Sequence, residues 1–447
     1  MGRSRKKLSD EPFELEINSL DSKGLGLAVY DEKKLHVFDA LAGEKVIARH
    51  MFGRKNRGKA ETLEVLNPSV DRVSAACPSF GICGACSLQH MSMDAQLARK
   101  QLALLQVLGE TGNVAPLEVY PPLDAPHWNY RRKARLSVRD VAAKGRVLVG
   151  FRERNGRFVV DMEACHILHS VAADALPGLS AVIETMECRS SIPQVEVACG
   201  DECCAMIIRH LEDLSGDDIE SLRAFSRETG VGVFLQAGGP DSITLLEPVG
   251  FQLEYAFETL ALRFHFEPLD FIQVNGPLNQ QMVRRALELL DPQADDKILD
   301  LFCGLGNFTL PLAQRAGHVT GLEGSAEMVE RGRSNAALNG LENVEFETVD
   351  LYRSGDTALR LSEHYNKILL DPPRSGAQEL LPWIAASGVS RVLYISCNPE
   401  TLARDAGILV NQHGFSLAGA GIMNMFPHTH HSEAIALFER TTAGMTA

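Results

Sequence analysis

The segment "ILDLFCGLGNFTL", residues 298–310, decides the fold class of the C-terminal part of the chain. An apolar strand runs into a glycine loop, and a helix follows directly. Gly304 and Gly306 allow the backbone to approach a ligand closely. Thr309 stands where a dinucleotide-binding loop would carry its third glycine, which weakens a pyrophosphate-binding interpretation. An ordinary tight turn between a strand and a helix is the alternative.

From Phe271 onward, short apolar strands alternate with helices on both sides of this loop. That rhythm predicts an α/β fold with a doubly wound, mostly parallel sheet. The last two strands, "SLAGAGIMNMF" and "EAIALFER", have no helix between them, so we expect them to pair as an antiparallel hairpin. Ligands of such sheets bind at the carboxyl ends of the strands.

Acidic residues end the two strands that follow the glycine loop. Glu323 ends the first, where a carboxylate can accept both ribose hydroxyls of an adenosine. Asp350 ends the second and is placed to reach the adenine. An adenosine ligand without a pyrophosphate fits S-adenosylmethionine best.

The next strand ends in "KILLDPPRSG", which places Asp371 at the same edge of the sheet. Enzymes of this class that methylate amino groups carry an aromatic residue after Asp/Asn-Pro-Pro. Arg374 occupies that place here. This substitution argues against N-methylation of adenine or glutamine and indicates an anionic or carbonyl-rich neighbour.

Cys397, in "RVLYISCNPETL", follows the fifth strand and precedes a helix that begins near Pro399. We expect the helix N-terminus to lower the pKa of this thiol and to favour a nucleophilic thiolate. A buried structural cysteine is the alternative. A thiolate that adds to carbon-6 of uracil makes carbon-5 nucleophilic toward a methyl sulfonium. A base must then remove the carbon-5 proton.

The candidates for this base lie in "HTHHSEAIALFER": Glu433, or one of His428, His430 and His431. The three histidines could also form a metal site. Their tight spacing, without other ligands, disfavours that interpretation.

Three cysteines, Cys77, Cys83 and Cys86, stand within ten residues in "CPSFGICGAC" and indicate a metal centre. Cys165 is the best candidate for a fourth ligand, and the spacing leaves zinc and an iron–sulfur cluster both open. Cys303 is interpreted as a small packed residue. A second group, interpreted as core, comprises Cys199, Cys203 and Cys204.

The chain has 447 residues, ten of them cysteine, and a net charge of −14. We predict three domains: a small OB-like β-barrel at 1–70, a β-rich domain at 71–270, and the α/β domain at 271–447. A helix at 87–110 is expected to pack on the α/β domain. Two basic stretches, 45–60 and 131–157, suggest a local contact with a polyanion, although a solvated surface explains them equally well.

Neither a secretory signal nor a membrane-spanning segment is recognisable, so a cytoplasmic location is expected, with no membrane partner. In that reducing compartment the cysteines should be thiols, metal ligands or catalytic groups.

Five motifs together, "FIQVN", "DLFCGLGNF", "LDPPR", "SCNP" and "HSEAIALFER", resemble those of the S-adenosylmethionine-dependent RNA uracil-C5 methyltransferases. The resemblance implies a Rossmann-like class I catalytic domain. The N-terminal β module resembles a TRAM domain, a small RNA-binding barrel. The cysteine pattern resembles the [4Fe–4S] site of the ribosomal branch of this family, and the resemblance covers nearly the whole chain.

The resemblance also implies residue roles. Cys397 would be the nucleophile and Glu433 the base, and Asp371 would lie between the cofactor and the target base. The cofactor would contact Gln273, Phe302, Asn307, Glu323 and Asp350. The [4Fe–4S] cluster would be held by Cys77, Cys83, Cys86 and Cys165. The family often has Pro-Ala-Arg after the aspartate, where this chain has Pro-Pro-Arg, a difference that should not disturb the chemistry.

The implied substrate is 23S rRNA, presented as a single-stranded or unfolded segment with the target uridine flipped out of its stack. A monomeric enzyme is expected. The same chemistry on another 23S uridine or on transfer RNA is an alternative, but transfer-RNA members of the family lack both the barrel and the cluster. A non-catalytic, RNA-binding iron–sulfur protein is the third possibility, and the joint presence of Glu323, Asp371, Cys397 and Glu433 argues against it.

Overall fold

The computed structural model describes residues 11–51, 58–352 and 364–440. Its contacts divide the chain into two compact units. Unit 1 contains the chain up to Lys100 together with two short segments, Phe151–Val160 and Phe426–His431. Unit 2 contains the remainder. The three-domain boundaries expected from the sequence stay a prediction.

Unit 1 is built on one six-stranded sheet in the order β1-β5-β6-β4-β3-β2. Its strands alternate buried and exposed residues, and the buried ones form a core that includes Val37, Val46 and Ala48. These strands agree with the short β segments expected near the N-terminus, while the barrel at 1–70 stays a prediction. The strands are β1 (Phe13–Glu16), β2 (Ser19–Leu20), β3 (Gly26–Tyr30), β4 (Lys33–Phe38), β5 (Lys45–His50) and β6 (Lys59–Asn67).

Helix α1 (Met93–Glu110) begins six residues later than the sequence analysis expected. The preceding segment is not helical because its carbonyls are satisfied from elsewhere. The side chain of Gln96 donates to the carbonyls of Leu88, at 3.0 Å, and Met91, at 2.9 Å. The short strand β7 (Glu118–Val119) follows the helix.

Unit 2 contains a second six-stranded sheet, in the order β13-β12-β11-β10-β8-β9, and a separate two-stranded hairpin. This β-rich region matches the predicted run of short strands. The sheet strands are β8 (Lys133–Val141), β9 (Arg146–Gly150), β10 (Gln194–Cys199), β11 (Cys204–Arg209), β12 (Gly232–Gln236) and β13 (Ile243–Glu247), the hairpin strands are β14 (Leu253–Phe257) and β15 (Leu262–Phe266), and the helices are α2 (Ser170–Thr185) and α3 (Gly216–Thr229).

Unit 2 also carries the predicted α/β layer, an eight-stranded sheet in the order β18-β17-β16-β19-β20-β22-β21-β7. The strands of its centre, β16 to β20, run parallel, and the last two pair antiparallel as predicted. The strands are β16 (Lys297–Leu301), β17 (His318–Glu323), β18 (Val344–Thr348), β19 (Lys367–Leu370), β20 (Arg391–Ser396), β21 (Phe415–Met423) and β22 (Glu433–Arg440).

Within the described residues, five helices accompany this sheet, and the starts of three of them follow local sequence signals. The side chain of Asn275 caps the first of them, the side chain of Ser325 the third and that of Asn398 the last. The helices are α4 (Gly276–Leu290), α5 (Thr309–Ala313), α6 (Ala326–Leu338), α7 (Leu381–Ala386) and α8 (Pro399–His413). Among the described residues, no helix combines the length and apolar character needed to cross a bilayer.

Candidate active site

Three parallel strands bring the predicted site residues to one level at the edge of the sheet. Leu301 in β16 pairs with Leu322 in β17 and with Leu370 in β19. The residue that follows Leu301 is Phe302, the one that follows Leu322 is Glu323, and the one that follows Leu370 is Asp371. These three residues therefore lie side by side at the carboxyl ends, where ligands of such sheets bind.

The glycine loop turns sharply at this edge. Phe302, Gly304 and Gly306 have φ angles of 65°, 55° and 98°. Glycine adopts these angles without strain, whereas Phe302 is held there by the hydrogen bond from its N–H to the Leu322 carbonyl, at 2.9 Å. The loop borders a cavity that is open to solvent on one side. The cavity is lined by Tyr255, Phe271, Ile272, Gln273, Phe302, Cys303, Gly304, Leu305, Asn307, Phe308 and Asp371.

Glu323 is held by backbone donors from both sides of the site. One carboxylate oxygen accepts the N–H of Gly304, at 3.2 Å, and the other accepts the N–H of Ser325, at 3.0 Å. The carboxylate is therefore fixed against the glycine loop. The structure brings Glu323 to the place that the sequence analysis expected for a ribose-binding acid.

Gln273 and Asn307 line the cavity and are fixed by polar partners. The Gln273 amide donates to the Asp371 carboxylate at 3.2 Å. Asn307 exchanges two hydrogen bonds with Asn279, of 2.7 and 3.0 Å, and accepts one from the Tyr255 hydroxyl at 3.0 Å. The sequence analysis did not find Asn279 and Tyr255, because they come from α4 and from the β14 hairpin.

Asp350 does not line the cavity. Its carboxylate accepts the N–H of Tyr352 at 3.1 Å, and the ring of Tyr352 lies 5.8 Å from that of Phe302. Tyr352 is 45% exposed, and its hydroxyl shares a hydrogen bond with Ser375. Asp350 thus contributes to one rim of the site through Tyr352.

Cys397 and Glu433 meet at the end of an antiparallel strand pair. Ser396 in β20 pairs with Ala434 in β22. The same register places Cys397 opposite Glu433, and opposite residues of an antiparallel pair point to the same face. Glu433 is 3% exposed, whereas Cys397 is half-buried.

The expected thiolate at Cys397 is not found. Burial and the nearby charges of Glu433 and Asp371 raise the pKa of this thiol to about 11, against the opposing charge of Arg374. The first turn of α8 is capped by Asn398, whose side chain accepts the N–H of Glu400 at 3.3 Å. The expectation of a lowered pKa was therefore wrong, because burial and two carboxylates outweigh the helix terminus.

Both carboxyl groups next to Cys397 are also shifted. Burial raises the pKa of Asp371 to about 7. Burial and the charge of Asp371 raise the pKa of Glu433 well above its usual range, against the opposing charge of Arg374. Shifted, interacting carboxyl groups beside a cavity are typical of catalytic sites. The competing candidate base, His430, has its pKa lowered to about 4 by burial and by His431, and is neutral at pH 7.

The loop that carries Asp371 and Arg374 is tied to helix α8. The Arg374 carbonyl accepts hydrogen bonds from Asn398 at 2.9 Å and Thr401 at 3.4 Å. The fully buried carboxylate of Asp405 accepts the N–H of Ala377 at 2.8 Å and the hydroxyl of Tyr394 at 2.7 Å.

Arg404 completes this network by donating to Asp405, at 2.8 Å, and to the Ser375 carbonyl, at 3.0 Å. Asp405 was not among the residues predicted to shape the site. An acidic residue at a buried helical position was the sequence signal that could have identified it. Asp405 follows Leu402 by three residues and precedes Leu409 by four, on the buried stripe of α8.

Asp300 is a second acid that the sequence analysis did not single out. It is fully buried in β16, and one oxygen accepts the Thr309 hydroxyl at 2.6 Å. The other oxygen makes no hydrogen bond within the described part of the chain. Burial raises the pKa of Asp300 to about 7. The sequence signal for this buried acid was its position within the otherwise apolar run "ILDLF".

The candidate metal ligands Cys77, Cys83 and Cys86 lie in one loop of unit 1. Turns shape this loop: the N–H of Phe80 donates to the Cys77 carbonyl at 3.0 Å and that of Cys83 to the Ser79 carbonyl at 2.9 Å. Cys83 and Cys86 are buried, and Cys77 is half-buried. Cys165, in unit 2, is also buried.

The second cysteine group contains a disulfide. Cys199 and Cys204 are direct partners across β10 and β11, are fully buried and form an S–S bond. They are core residues, as predicted, but the expectation that every cysteine would be a thiol, a metal ligand or a catalytic group was wrong for this pair. Cys203, beside them, is half-buried. Cys303 is buried, as expected.

The basic stretch at 131–157 is less exposed than its sequence suggests. Arg132 is buried and forms an ion pair with Asp201. Lys133 donates to the Pro268 carbonyl, and burial lowers the pKa of this lysine to about 8. Arg135 stays exposed. In the other basic stretch, Arg54, Lys55 and Arg57 lie outside the described residues.

The fold and the strand-end loops define a class I methyltransferase. A family model described as "tRNA (Uracil-5-)-methyltransferase" matches residues 94–441. The chain therefore belongs to the family of uracil-C5 RNA methyltransferases.

Three curated relatives share the printed name "23S rRNA (uracil(1939)-C(5))-methyltransferase RlmD". That of Alkalilimnicola ehrlichii is 46% identical and covers 98% of this chain and 99% of its own. That of Hahella chejuensis is 46% identical, covering 98% and 100%. That of Methylococcus capsulatus is 45% identical, covering 98% and 99%.

A solved structure shares the fold over almost the full length. It is the Pyrococcus abyssi tRNA (uracil-54, C5)-methyltransferase in complex with S-adenosyl-L-homocysteine, with a TM-score of 0.73 and 21% identity. The match covers 95% of this chain and 99% of that one. At this identity the likeness confirms the fold. Because this transfer-RNA enzyme matches 95% of the chain, too much to leave out the N-terminal β module, the expectation that transfer-RNA members lack the barrel was wrong.

Proposed function

We propose that this protein transfers a methyl group from S-adenosylmethionine to carbon-5 of the 23S rRNA uridine at position 1939, the position that the names of its curated relatives give. Those relatives cover nearly the whole chain. The observation that carries the proposal is the opposition of Cys397 and Glu433 at the strand end next to Asp371. A nucleophile and a base are the two groups that methylation of carbon-5 requires.

Cys397 acts first in this mechanism. After its thiol proton is lost to solvent, the sulfur forms a bond to carbon-6 of the uracil, and the electron pair of the C5–C6 double bond moves into an enolate at O4. S-adenosylmethionine supplies the methyl group that carbon-5 then attacks. The Glu433 carboxylate removes the carbon-5 proton, the double bond re-forms, and the Cys397 sulfur leaves as a thiolate. Glu433 finally releases its proton to solvent.

The raised pKa of Cys397 means that only a small fraction of the thiol is ionised at neutral pH, so a cation beside the sulfur favours the reactive form. Arg374 is the cation that acts on both Cys397 and Glu433. It favours the charged form of each group. We assign to Arg374 the stabilisation of negative charge during addition to carbon-6.

The methyl donor is assigned to the cavity beside the glycine loop. The donor set fits an adenosine with a sulfonium: Glu323 offers acceptors for ribose hydroxyls, and Asp371, which follows the neighbouring strand, accepts a hydrogen bond from the Gln273 amide. Phe302 and Asn307 line the same cavity. Asp350 contributes through Tyr352 at the rim.

We also propose that Cys77, Cys83, Cys86 and Cys165 hold a [4Fe–4S] cluster. Four cysteines, three of them buried, are a donor set that suits such a cluster. Its role on this view is to fold the loop from Cys77 to Cys86 and to position neighbouring RNA-contacting segments, without taking part in methyl transfer.

The remaining assignments follow from the substrate. The uridine must be flipped out of its stack to reach Cys397, so the enzyme would act on a single-stranded or unfolded rRNA segment. We expect a monomer that acts in the cytoplasm.

Mapping of 5-methyluridine in rRNA tests the function. A strain that lacks the gene should have an unmethylated uridine at the position corresponding to 1939. A plasmid with the wild-type gene should restore methylation, and one with Cys397→Ala should not. Normal 23S methylation in the deletion strain, with 5-methyluridine lost from transfer RNA, would contradict the proposal and favour the transfer-RNA alternative.

Iron and sulfide analysis tests the cluster separately. Anaerobically purified protein should be brown and contain about four irons per chain. Cys83→Ser should lose the colour, whereas Cys203→Ser, the control, should keep it. Colourless protein containing zinc would contradict the assignment of the cluster and leave the methyltransferase assignment intact.

A further inference from the structure

Residues 152–159 of unit 1 form a small hairpin, whose exposed end, here called the tip, includes Arg157 in the turn and Phe158 in the last strand pair before it. Arg152 and Val159 pair as an antiparallel bridge, and the N–H of Glu153 donates to the Phe158 carbonyl at 3.0 Å. Val159 is buried, whereas Phe158 is 63% exposed. The guanidinium carbon of Arg157 lies 5.9 Å from the centroid of the Phe158 ring. The tip therefore presents an aromatic face with a cation beside it.

The hairpin is fastened to the loop that carries the clustered cysteines. Cys83 and Glu153 form an antiparallel bridge. The N–H of Gly84 donates to the Arg152 carbonyl, and the N–H of Arg154 donates to the Ile82 carbonyl, both at 2.9 Å. A Cβ at Gly84 would lie 3.0 Å from the Arg152 carbonyl oxygen, a tight contact, so glycine favours the close approach of the two segments.

A second anchor joins the hairpin to the sheet of unit 1. Arg154 donates to both carboxylate oxygens of Asp39, at 2.7 and 2.6 Å. Its guanidinium also lies 4.7 Å from the ring of Phe38. A bidentate pair of this kind fixes orientation as well as position. The tip is thus held in one place before any ligand arrives, which lowers the entropy lost on binding.

We infer that this hairpin is a nucleobase-stacking finger, on which an unpaired base of the RNA substrate stacks against Phe158 while Arg157 contacts a phosphate. The inference rests on the proposed function for the class of its partner. Stacking on an exposed aromatic ring is how proteins commonly hold single-stranded RNA, since every base offers a flat face.

Charge favours RNA over a protein partner. The segment has three arginines, Arg152, Arg154 and Arg157, and one acid, Glu153. Asp39 balances the charge of Arg154, so the hairpin together with this anchor has a net charge of +1, and Arg157 places a positive charge beside an aromatic ring on a protein whose net charge is −14. A polyanion with flat bases complements both features.

On this proposal, the loop from Cys77 to Cys86 has a specific role, which is to support the hairpin that carries Phe158. Because the loop supports the hairpin through Ile82, Cys83 and Gly84, any change that loosens the loop should move Phe158. On this account, a metal centre in the loop would act on RNA binding through the position of Phe158.

The test measures RNA affinity without methyl donor, so that it is independent of catalysis. The probe is a fluorescein-labelled, unstructured RNA of about 20 nucleotides, long enough to span at least one of the 4–16-nucleotide sites typical of small RNA-binding domains. Phe158→Ala should weaken binding roughly 5- to 150-fold, the range measured for loss of one stacked base. Leu211→Ala is the matched control, because Leu211 is also 63% exposed but precedes the acids Glu212 and Asp213.

Two further variants test the contact itself. Phe158→Trp should retain affinity, and its fluorescence should be quenched when RNA binds. Arg157→Ala should lower the slope of log Kd against log salt by about 0.7, as expected for one lost phosphate contact on a single strand. Asp39→Asn, which removes the anchor of Arg154 and leaves Phe158 unchanged, should also weaken binding.

If the Phe158→Ala variant binds the RNA probe as tightly as the wild type does, the proposal of a stacking finger is wrong. Loss of binding to intact ribosomal subunits with unchanged affinity for the RNA probe would also overturn it, in favour of a protein partner. The proposed function fails separately, if wild-type protein binds the probe but does not methylate 23S rRNA. In that case a drop in affinity for Phe158→Ala would still support the finger.

Discussion

Cys397 and Glu433 stand opposite each other because Ser396 of β20 pairs with Ala434 of β22 in antiparallel register. The antiparallel direction of β22 is what brings these two side chains together. A parallel strand would have placed its own carboxyl end at this edge, whereas β22 begins here and brings Glu433, its first residue, to the site. The two groups of the proposed chemistry are thus held by a sheet whose pairing leaves them little freedom.

The ionisation of Cys397 gives the first prediction. Because burial and two carboxylates raise the pKa of this thiol to about 11, its alkylation rate should rise about tenfold per pH unit from pH 7 to pH 9, without a plateau. Glu433→Gln should increase the rate at pH 8, since one carboxylate is removed, and Glu439→Gln on the same strand should leave it unchanged. Peptide mass spectrometry after iodoacetamide treatment measures this. A plateau near pH 7 would contradict the stated environment.

The role of Glu433 gives the second prediction. Glu433→Gln keeps the shape of the side chain but cannot accept the carbon-5 proton. We expect methyl transfer to occur once and a covalent protein–RNA complex to accumulate, detectable as a slow band in a denaturing gel. Glu439→Gln should turn over normally. Multiple rapid turnovers by Glu433→Gln would exclude Glu433 as the base.

The network around Asp405 gives the third prediction. Asp405→Asn removes an acceptor for Arg404 or Tyr394 and should loosen the loop that carries Asp371 and Arg374. We expect kcat to fall roughly 10- to 100-fold, the effect of small displacements near reacting groups. Affinity for S-adenosylmethionine should change little. Tyr394→Phe, which removes one hydrogen bond, should have a smaller effect, and an unchanged kcat in Asp405→Asn would exclude a positioning role.

The buried acid Asp300 gives the fourth prediction. Its pKa is raised from 3.8 to about 7 in the folded protein, so its contribution to stability is fully present below pH 3.8 and is lost as the pH rises through 7. Between pH 5 and pH 8 this loss amounts to roughly 3 kcal/mol. Asp300→Asn should therefore reduce the fall in unfolding free energy over this range, measured with urea.

A surface acid serves as the control for this stability measurement. Asp295→Asn, at an exposed position, should preserve the pH dependence of the wild type. An equal pH dependence in wild type and Asp300→Asn would show that Asp300 is ionised throughout the range, contrary to the structure.

Much of the catalytic layer could be predicted from the sequence because its signals are local. Several features depend only on residues close to one another in the sequence. These are the strand before Phe302, the glycine turn and the helix caps at Asn275 and Ser325. The pKa of Cys397 could not be predicted in this way. It depends on carboxylates from β19 and β22, which the sequence separates from Cys397 by 26 and 36 positions.

The same contrast explains the other corrections. The bond between Cys199 and Cys204 follows from strand register, and the burial of Arg132 follows from its pairing with Asp201. The start of α1 at Met93 depends on the side chain of Gln96, which satisfies carbonyls that a longer helix would have used. Each of these outcomes is decided by a tertiary contact and leaves no periodic pattern in the sequence.

The most direct test of the central claim is covalent trapping with RNA that carries 5-fluorouridine at the target position. Fluorine at carbon-5 cannot be removed as a proton, so the adduct should persist after methyl transfer. Wild-type protein should form a denaturation-resistant complex, and mass spectrometry should place the RNA on Cys397. Cys397→Ala should form none, while Cys203→Ala, the control, should form it as wild type does. An adduct that persists in Cys397→Ala, or that maps to another residue, would contradict the account.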